Sequence, residues 1–432
     1  MTIDVSQWPV SGYSVDTRTL AAGDLFFALR GACHDGHDYV AEALRKGAAG
    51  AVVDHEIPGL GPALVVEDTL RALQELARRA RIEWGGKVVA VTGSAGKTTT
   101  KDYIARLLET ELAVGKTEGN LNNHVGLPLS ILRLPDACRV AVLEMGMNHA
   151  GEIRELCGIA QPYVGVVTNV GCAHVEYFDG IEGVAAAKRE LVESLPPGGV
   201  AVLNADDPLV AGFRAAYGGR TLTFGLSAGA DVRAEDVEAG EASTRFTVDG
   251  ARFDAPLAGL HSVRNALAAI AVARVFGIPA ARLTGAVSAL EPGKMRGERL
   301  VHNGVTIWND TYNSNPEAVR SMLDVLAATP ARRRWAVLGE MLELGRSAEP
   351  LHREVGRYVA ERGIDVLIGI RGAARHMVEE AGRAGLSGAA YFFETPEAAG
   401  DFVRQKVEAG DALLFKGSRG VAVEKALERV LE

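Results

Sequence analysis

Nine consecutive residues carry the densest chemistry in the chain: Thr92, Gly93, Ser94, Ala95, Gly96, Lys97, Thr98, Thr99 and Thr100. They lie between KVVAVTG, which reads as a β-branched buried strand, and TTTKDYIARLLETEL, which reads as a helix. Glycines at 93 and 96 let successive backbone N–H groups face one anion, and the helix N-terminus adds partial positive charge. Lys97 then reaches the β/γ-phosphates of a nucleotide, and the Thr98 hydroxyl offers an oxygen to Mg²⁺. The full phosphate-loop pattern begins with a glycine where this chain has Val91. A strand and a helix in register on either side favour triphosphate binding over a solvated glycine turn.

Four other segments end predicted strands or helices with polar groups. Val140-Ala141-Val142-Leu143-Glu144 puts a carboxylate at a strand's carboxyl end, where it serves either as a metal ligand or as an ordinary exposed acid. Thr168-Asn169-Val170-Gly171-Cys172-Ala173-His174 brings an imidazole to the same sheet edge, as a cation ligand or a packing residue. Asn309-Asp310-Thr311-Tyr312-Asn313-Ser314-Asn315-Pro316 follows the strand VTIW and reads as a helix cap or as a ligand cluster. Lys416-Gly417-Ser418-Arg419-Gly420 follows DALLF and is suited to a carboxylate or phosphate. Lys188, in VAAAKRELVESL, reads from its neighbours as a surface lysine.

The elements that must position these groups follow an α/β texture. The chain has 432 residues, 50 of them glycine, with 47% hydrophobic residues and a net charge of −9. That length exceeds one ordinary core. The composition excludes disordered and fibrous classes, and acidity without a basic run argues against sequence-independent nucleic-acid binding. Four dispersed cysteines form neither a disulfide framework nor a zinc ribbon. MTIDVSQWPV lacks the order of a signal peptide, and no stretch is long and apolar enough to span a bilayer, so a cytoplasmic protein is expected. Strands and helices alternate first in a small unit, then around a doubly wound parallel sheet, and then in a third α/β unit that begins after PGKMRG. Punctuation near 85 and near 297 gives domains 1–85, 86–297 and 298–432. Residues 230–257 alternate with period two and predict an antiparallel hairpin inserted at the sheet edge.

Taken together, these motifs resemble the Mur ligase family of ATP-dependent amide-bond-forming enzymes of bacterial cell-wall synthesis. The resemblance covers nearly the whole chain and all three domains in order. Residues 117–128 (TEGNLNNHVGLP), 144–153 (EMGMNHAGEI), 310–316 and 416–420 are similar to the branch that adds D-alanyl-D-alanine. Asp16-Thr17-Arg18, Gly23 through Gly31, and Asp35-Gly36-His37 resemble the uridine-diphosphate-binding part shared with the ligase that adds the third residue. The Asp-Asn-Pro-Arg signature of that neighbour is absent, which disfavours it.

The resemblance implies a small N-terminal α/β unit, a central phosphate-loop ATPase domain on a parallel sheet, and a C-terminal Rossmann-like domain. It implies that Asp16, Thr17, Arg18, Gly31 and His37 meet the UDP substrate. Gly93, Ser94, Ala95, Gly96, Lys97, Thr98 and Thr99 would hold ATP phosphates. Thr98 and Glu144 would bind a first Mg²⁺, while His174 and a carbamylated Lys188 would serve a second. Asn265, in HSVRNAL with Ser262 where asparagine is usual, would contact adenine. Arg296, with Arg299 close by, would face the phosphates, and Asp310 and Tyr312 would reach ATP from the third domain. Lys416, Ser418 and Arg419 would lie near the incoming dipeptide. The implied reaction joins a UDP-N-acetylmuramoyl-tripeptide to D-alanyl-D-alanine through an acyl phosphate, in peptidoglycan synthesis and hence in cell shape and division. A monomer is expected.

Overall fold

Short aliphatic runs joined by amphipathic helices bury both faces only when they pair in parallel beneath covering helices. That arrangement recurs three times in the computed structural model, which describes residues 8–31, 33–59 and 61–432. The first seven residues, part of the segment read above for a leader, lie outside it.

The first sheet has four parallel strands in chain order, Gly12–Ser14, Asp24–Phe27, Gly50–Val53 and Ala63–Val65. The helix Thr69–Trp84 covers it, placing Ala72 and Leu73 against Leu25, Phe27 and Val52. Asp68 caps that helix by accepting the Arg71 N–H, and Gly85 ends it in the left-handed region.

The second sheet has seven parallel strands in the order Val232–Arg233, Arg220–Gly225, Val200–Asn204, Val164–Val167, Lys87–Thr92, Val140–Glu144 and Val114–Lys116. The chain enters at the interior strand Lys87–Thr92, builds one side, then returns to build the other. Ligand crevices form beyond the carboxyl ends of strands where such an order reverses. The helices Lys97–Leu108 and Leu260–Val275 close one face around Ile104, Leu107, Ala266 and Ile270. The helices Glu152–Ala160 and Gly180–Glu193 close the other around Ile153, Leu156, Val184 and Leu191.

The third sheet runs Glu298–His302, Val305–Asp310, Ala412–Lys416, Arg334–Gly339, Val366–Ile370 and Ala389–Phe393. Only its first pair is antiparallel.

The hairpin expected at the sheet edge over 230–257 is corrected. Val232–Arg233 does extend the seven-stranded sheet in parallel, but Glu235–Ala239, Thr244–Val248 and Ala251–Ala255 form a separate three-stranded antiparallel sheet. Its apolar face (Phe246, Val248, Phe253, Ala255) joins the core that contains Val263 and Ala266. Alternation marks strands with one buried face, yet which surface buries that face depends on tertiary contacts.

Candidate active site

Strand register brings the main polar groups to one edge. Val91 pairs with Glu144 and Thr92 with Val167, so the phosphate loop, Glu144 and the segment leading to His174 leave three adjacent parallel strands at the same level. The loop is held by its neighbour: Thr168 Oγ1 donates to the Ala95 carbonyl at 2.7 Å, and Asn169 Oδ1 accepts the Ala95 N–H at 2.8 Å. Gly96 sits at φ +79, and a Cβ there would stand 2.7 Å from Asn265 Oδ1. Both the backbone conformation and the close approach of Asn265 therefore require glycine. The helix Lys97–Leu108 starts at that residue, and its first-turn N–H groups have no intrahelical partner.

Lys97 folds back to donate to the Gly93 carbonyl at 2.7 Å. Burial lowers its ammonium pKa, Glu144 opposes the shift, and Arg296 adds to it. Thr98 Oγ1 donates to Glu144 Oε2 at 2.7 Å, and Asn122 Nδ2 donates to Glu144 Oε1 at 2.7 Å. The buried carboxylate thus gathers a hydroxyl from the start of that helix and an amide N–H from the loop that carries Asn122. Lys188 is not at the surface, contrary to the reading from its neighbours: it is 2% exposed. Burial drives its pKa well below the ordinary lysine value, and the nearby Lys97 ammonium adds to the effect. It stands behind the cavity wall, and no carboxylate opposes that shift.

His174 lies on the cavity wall in the left-handed region, φ 60. Its Nδ1 lies 2.5 Å from Glu343 Oε2, without hydrogen-bond alignment. That contact holds the Glu343 carboxyl below the usual carboxylate range. Asn265 accepts from Thr100 Oγ1 at 3.2 Å and packs against the loop.

In the turn that leads into the third sheet, the Arg296 guanidinium lies 3.7 Å from the centre of the Tyr312 ring, while Arg299, on the first strand, is paired with Glu241. Asp310 and Lys416 are register partners on adjacent strands, and their side chains meet at 2.5 Å. Lys416 also donates to the Asn313 carbonyl at 2.9 Å. Arg296, Arg299, Asp310, Tyr312, Asn313 and Lys416 line one cavity of about 640 Å³ together with residues 94–99, Glu144, His174 and Asn265, between the second and third sheets.

Ser418 and Arg419 do not line that cavity. Ser418 accepts the Leu342 N–H at 2.9 Å, and Arg419 pairs with Glu424 at 2.8 Å. The set Asp16, Thr17, Arg18, Gly31 and His37 stands apart, on the first sheet. Asp16 and Arg18 pair at 2.6 Å, Lys46 donates to the Thr17 carbonyl, and Gly31 N–H donates to the His34 carbonyl. His37 Nε2 accepts the Asp54 N–H at 3.0 Å, so its Nδ1 carries the proton facing Asp35.

Sequence reasoning assigned no role to Asn122, Asn169, Asp206, His261 or Arg264, all of which line the cavity. Arg264 pairs with Asp206 at 2.7 Å. Asn122, Asn169, His261 and Arg264 fall inside motifs quoted above, TEGNLNNHVGLP, TNVGCAH and HSVRNAL, and Asp206 follows the strand run VAVLN.

Known proteins resemble this chain over nearly its whole length. The pattern described as Mur ligase middle domain matches residues 91–273. Mur ligase, glutamate ligase domain, matches 295–419, and Mur ligase family, catalytic domain, matches 9–81. A Bacillus subtilis protein named UDP-N-acetylmuramoyl-tripeptide--D-alanyl-D-alanine ligase is 36% identical, covering 99% of this chain and 94% of its own length. The Escherichia coli protein of that name is 33% identical over 97% of this chain and 93% of its own. Among solved structures, MurF from Acinetobacter baumannii superposes with a TM-score of 0.90 at 32% identity, covering 98% of this chain and 93% of that one. MurF ligase from Thermotoga maritima in complex with ADP gives 0.86 at 31% identity, covering 97% of each.

Proposed function

The chain belongs to the Mur ligase family, and from that premise we propose that it joins UDP-N-acetylmuramoyl-tripeptide to D-alanyl-D-alanine at the expense of ATP. One observation carries the reading: a phosphate loop with a half-buried lysine, a Thr98–Glu144 pair, Arg296 from the turn before the third sheet, and Asp310 and Lys416 from that sheet share one cavity. Residues 1–85 are the UDP-binding unit in this proposal, through Asp16, Thr17, Arg18, Gly31 and His37. Residues 86–297 bind ATP, and 298–432 bring the dipeptide and close on the nucleotide.

A carboxylate is a poor electrophile. In the first step an oxygen of the tripeptide carboxylate attacks the γ-phosphorus of ATP, the bond to the bridging oxygen breaks, and ADP leaves. The resulting acyl phosphate is attacked at its carbonyl carbon by the dipeptide amine. The tetrahedral adduct expels phosphate, the amine loses its proton, and an amide remains. Lys97 and the first-turn N–H groups of its helix neutralise charge gathering on the transferring oxygens. Arg296, held flat on Tyr312, adds a fixed positive charge from the far wall. The walls contributed by two sheets align the amine and exclude water from the acyl phosphate.

Thr98 and Glu144 present only oxygen atoms, the donor type that Mg²⁺ takes, and both already converge within hydrogen-bond distance. Bound there, the ion would supply charge neutralisation at the phosphates. Lys188 fits carbamylation, because a buried amine with a depressed pKa is the nucleophile that captures CO₂, and the anion formed would offset the Lys97 charge. With His174 it would serve a second ion. Asn265 is assigned to adenine, Asp310 and Tyr312 to ATP, and Lys416, Ser418 and Arg419 to the dipeptide side, where Lys416 alone meets the cavity.

No helix among the described residues is long and apolar enough to cross a membrane. The same reading has the chain act in the cytoplasm as a monomer without nucleic-acid partners. The test offers UDP-tripeptide, ATP and one amine at a time while ADP and phosphate are measured. Release of both with D-alanyl-D-alanine, and a condensed product by mass spectrometry, is expected. Release without UDP-tripeptide, or a preference for another amine, overturns the assignment.

A further inference from the structure

The loop carrying His174 is gripped from the third sheet by a residue with no role so far. Glu317 is the second residue of the helix Pro316–Ala328, and its Oε1 accepts the Cys172 N–H at 3.1 Å. A Cβ on Gly171 would stand 2.6 Å from both Cδ and Oε2 of that carboxylate. Gly171 is not in the left-handed region, so its backbone imposes no need for glycine. Only the carboxylate excludes a side chain.

The opposite side of the same peptide segment belongs to the phosphate loop. Ser94 Oγ accepts the Gly171 N–H at 2.9 Å and donates to the Gly171 carbonyl at 3.1 Å. Asn315, the cap of the Glu317 helix, donates from Nδ2 to the Ser94 carbonyl at 3.3 Å. Gly171-Cys172 is therefore clasped between the nucleotide loop on one side and a helix start of the third sheet on the other. Glu317 Oε2 is buried without a hydrogen-bond partner.

We infer that Glu317 is a positioning residue that couples the seating of the third sheet to the placement of the His174 loop and, through Ser94, of the phosphate loop. The inference deepens the ligase reading and rests on it. Glu317 borders the cavity, but its carboxylate is engaged with the Gly171-Cys172 segment, and its role there is to place that loop.

Gly171→Ala supplies a second way to break the contact, because the new methyl displaces the flexible end of Glu317 without straining the backbone. The experiment compares full-length wild type, Glu317→Ala, Gly171→Ala, the double variant and Glu317→Gln by steady-state ADP release, with KM for each substrate and thermal unfolding of each protein. Each single alanine variant is expected to lower kcat/KM for D-alanyl-D-alanine about tenfold, the factor that one hydrogen bond to a charged group carries. KM for ATP should rise by less than the loss at the amine, because the phosphate loop feels Glu317 only through Ser94, and the unfolding midpoint should not move. The double variant should be no worse than the weaker single, and Glu317→Gln, which keeps an acceptor oxygen, should recover most of the loss. Multiplying losses in the double variant, unchanged kinetics in Glu317→Ala, or no recovery in Glu317→Gln overturns the inference. A wild type that releases no ADP with these substrates instead overturns the ligase reading itself.

Discussion

Lys188 is buried and Lys97 half-buried, and the Lys97 ammonium adds to the lowering of the Lys188 pKa. Anionic groups between them remove that conflict, which is how a triphosphate and a carbamate would be accommodated. Lys97→Ala should lower kcat by about a thousandfold, the upper range for removing one preorganised charge donor, while calorimetric binding of the UDP substrate stays unchanged. Glu144→Gln keeps the size of the side chain but loses its charge. The Mg²⁺ concentration for half-maximal activity should rise by about tenfold or more, as a metal titration of the variant would measure; the wild-type value would count against the role. Lys97, Thr98 and Glu144 were legible as chemistry from residue type beside a strand end. Lys188 was not, because Lys188, Arg189 and Glu190 together read as a charged surface, whereas the helix turns Lys188 and Glu190 inward.

Elements support the site through contacts that are themselves titratable. His352, fully buried on the helix Ala348–Glu361, accepts the Met341 N–H at Nε2 (3.0 Å) and donates from Nδ1 to the Ala348 carbonyl (2.6 Å). Burial lowers its pKa, and protonation would place an N–H against the Met341 N–H. A histidine depressed in the folded state stabilises fully above its unfolded value of about 6.5. That contribution is lost as pH falls below 6.5 toward the folded pKa. The unfolding midpoint of the wild type should therefore fall more steeply below pH 6.5 than that of His352→Asn, which starts lower but does not titrate; equal slopes in calorimetry at several pH values would refute this. Strands such as Val164–Val167 and Val366–Ile370 were readable because uninterrupted aliphatic runs suit a sheet covered on both faces. Three-residue strands, Gly12–Ser14 and Val114–Lys116, are too short to carry a period and form because neighbours supply their hydrogen bonds.

At the scale of the molecule, the cavity exists only because two sheets meet, each presenting the carboxyl ends of its strands. A ligand held by both walls links their stability to its binding. ATP with Mg²⁺ at about a hundred times its Kd should stabilise the protein by about 2.7 kcal/mol, seen as a rise in the calorimetric midpoint. The rise should be largely abolished in Lys97→Ala, and a full rise in that variant would argue against nucleotide held at this loop. The first sheet takes no part in the cavity wall, and it is tied to the second by local contacts such as Arg133 Nη2 donating to the Tyr13 carbonyl at 2.8 Å. Its assigned UDP residues would therefore bind substrate at a distance from the phosphates.

The amino-acid sequence alone determined the order of the longer strands and helices, the phosphate loop, and the acid and imidazole that follow the strands on either side of it. Those are local facts, written in run length, glycine placement and side-chain type. Tertiary structure decided the rest: that 235–255 forms its own sheet, that Lys188 is buried beside Lys97, that Lys416 is held by Asp310 while Ser418 and Arg419 turn away, and that Glu317 reaches across to Gly171. Each of these depends on which surfaces meet across long sequence separations, and neither spacing nor composition records that.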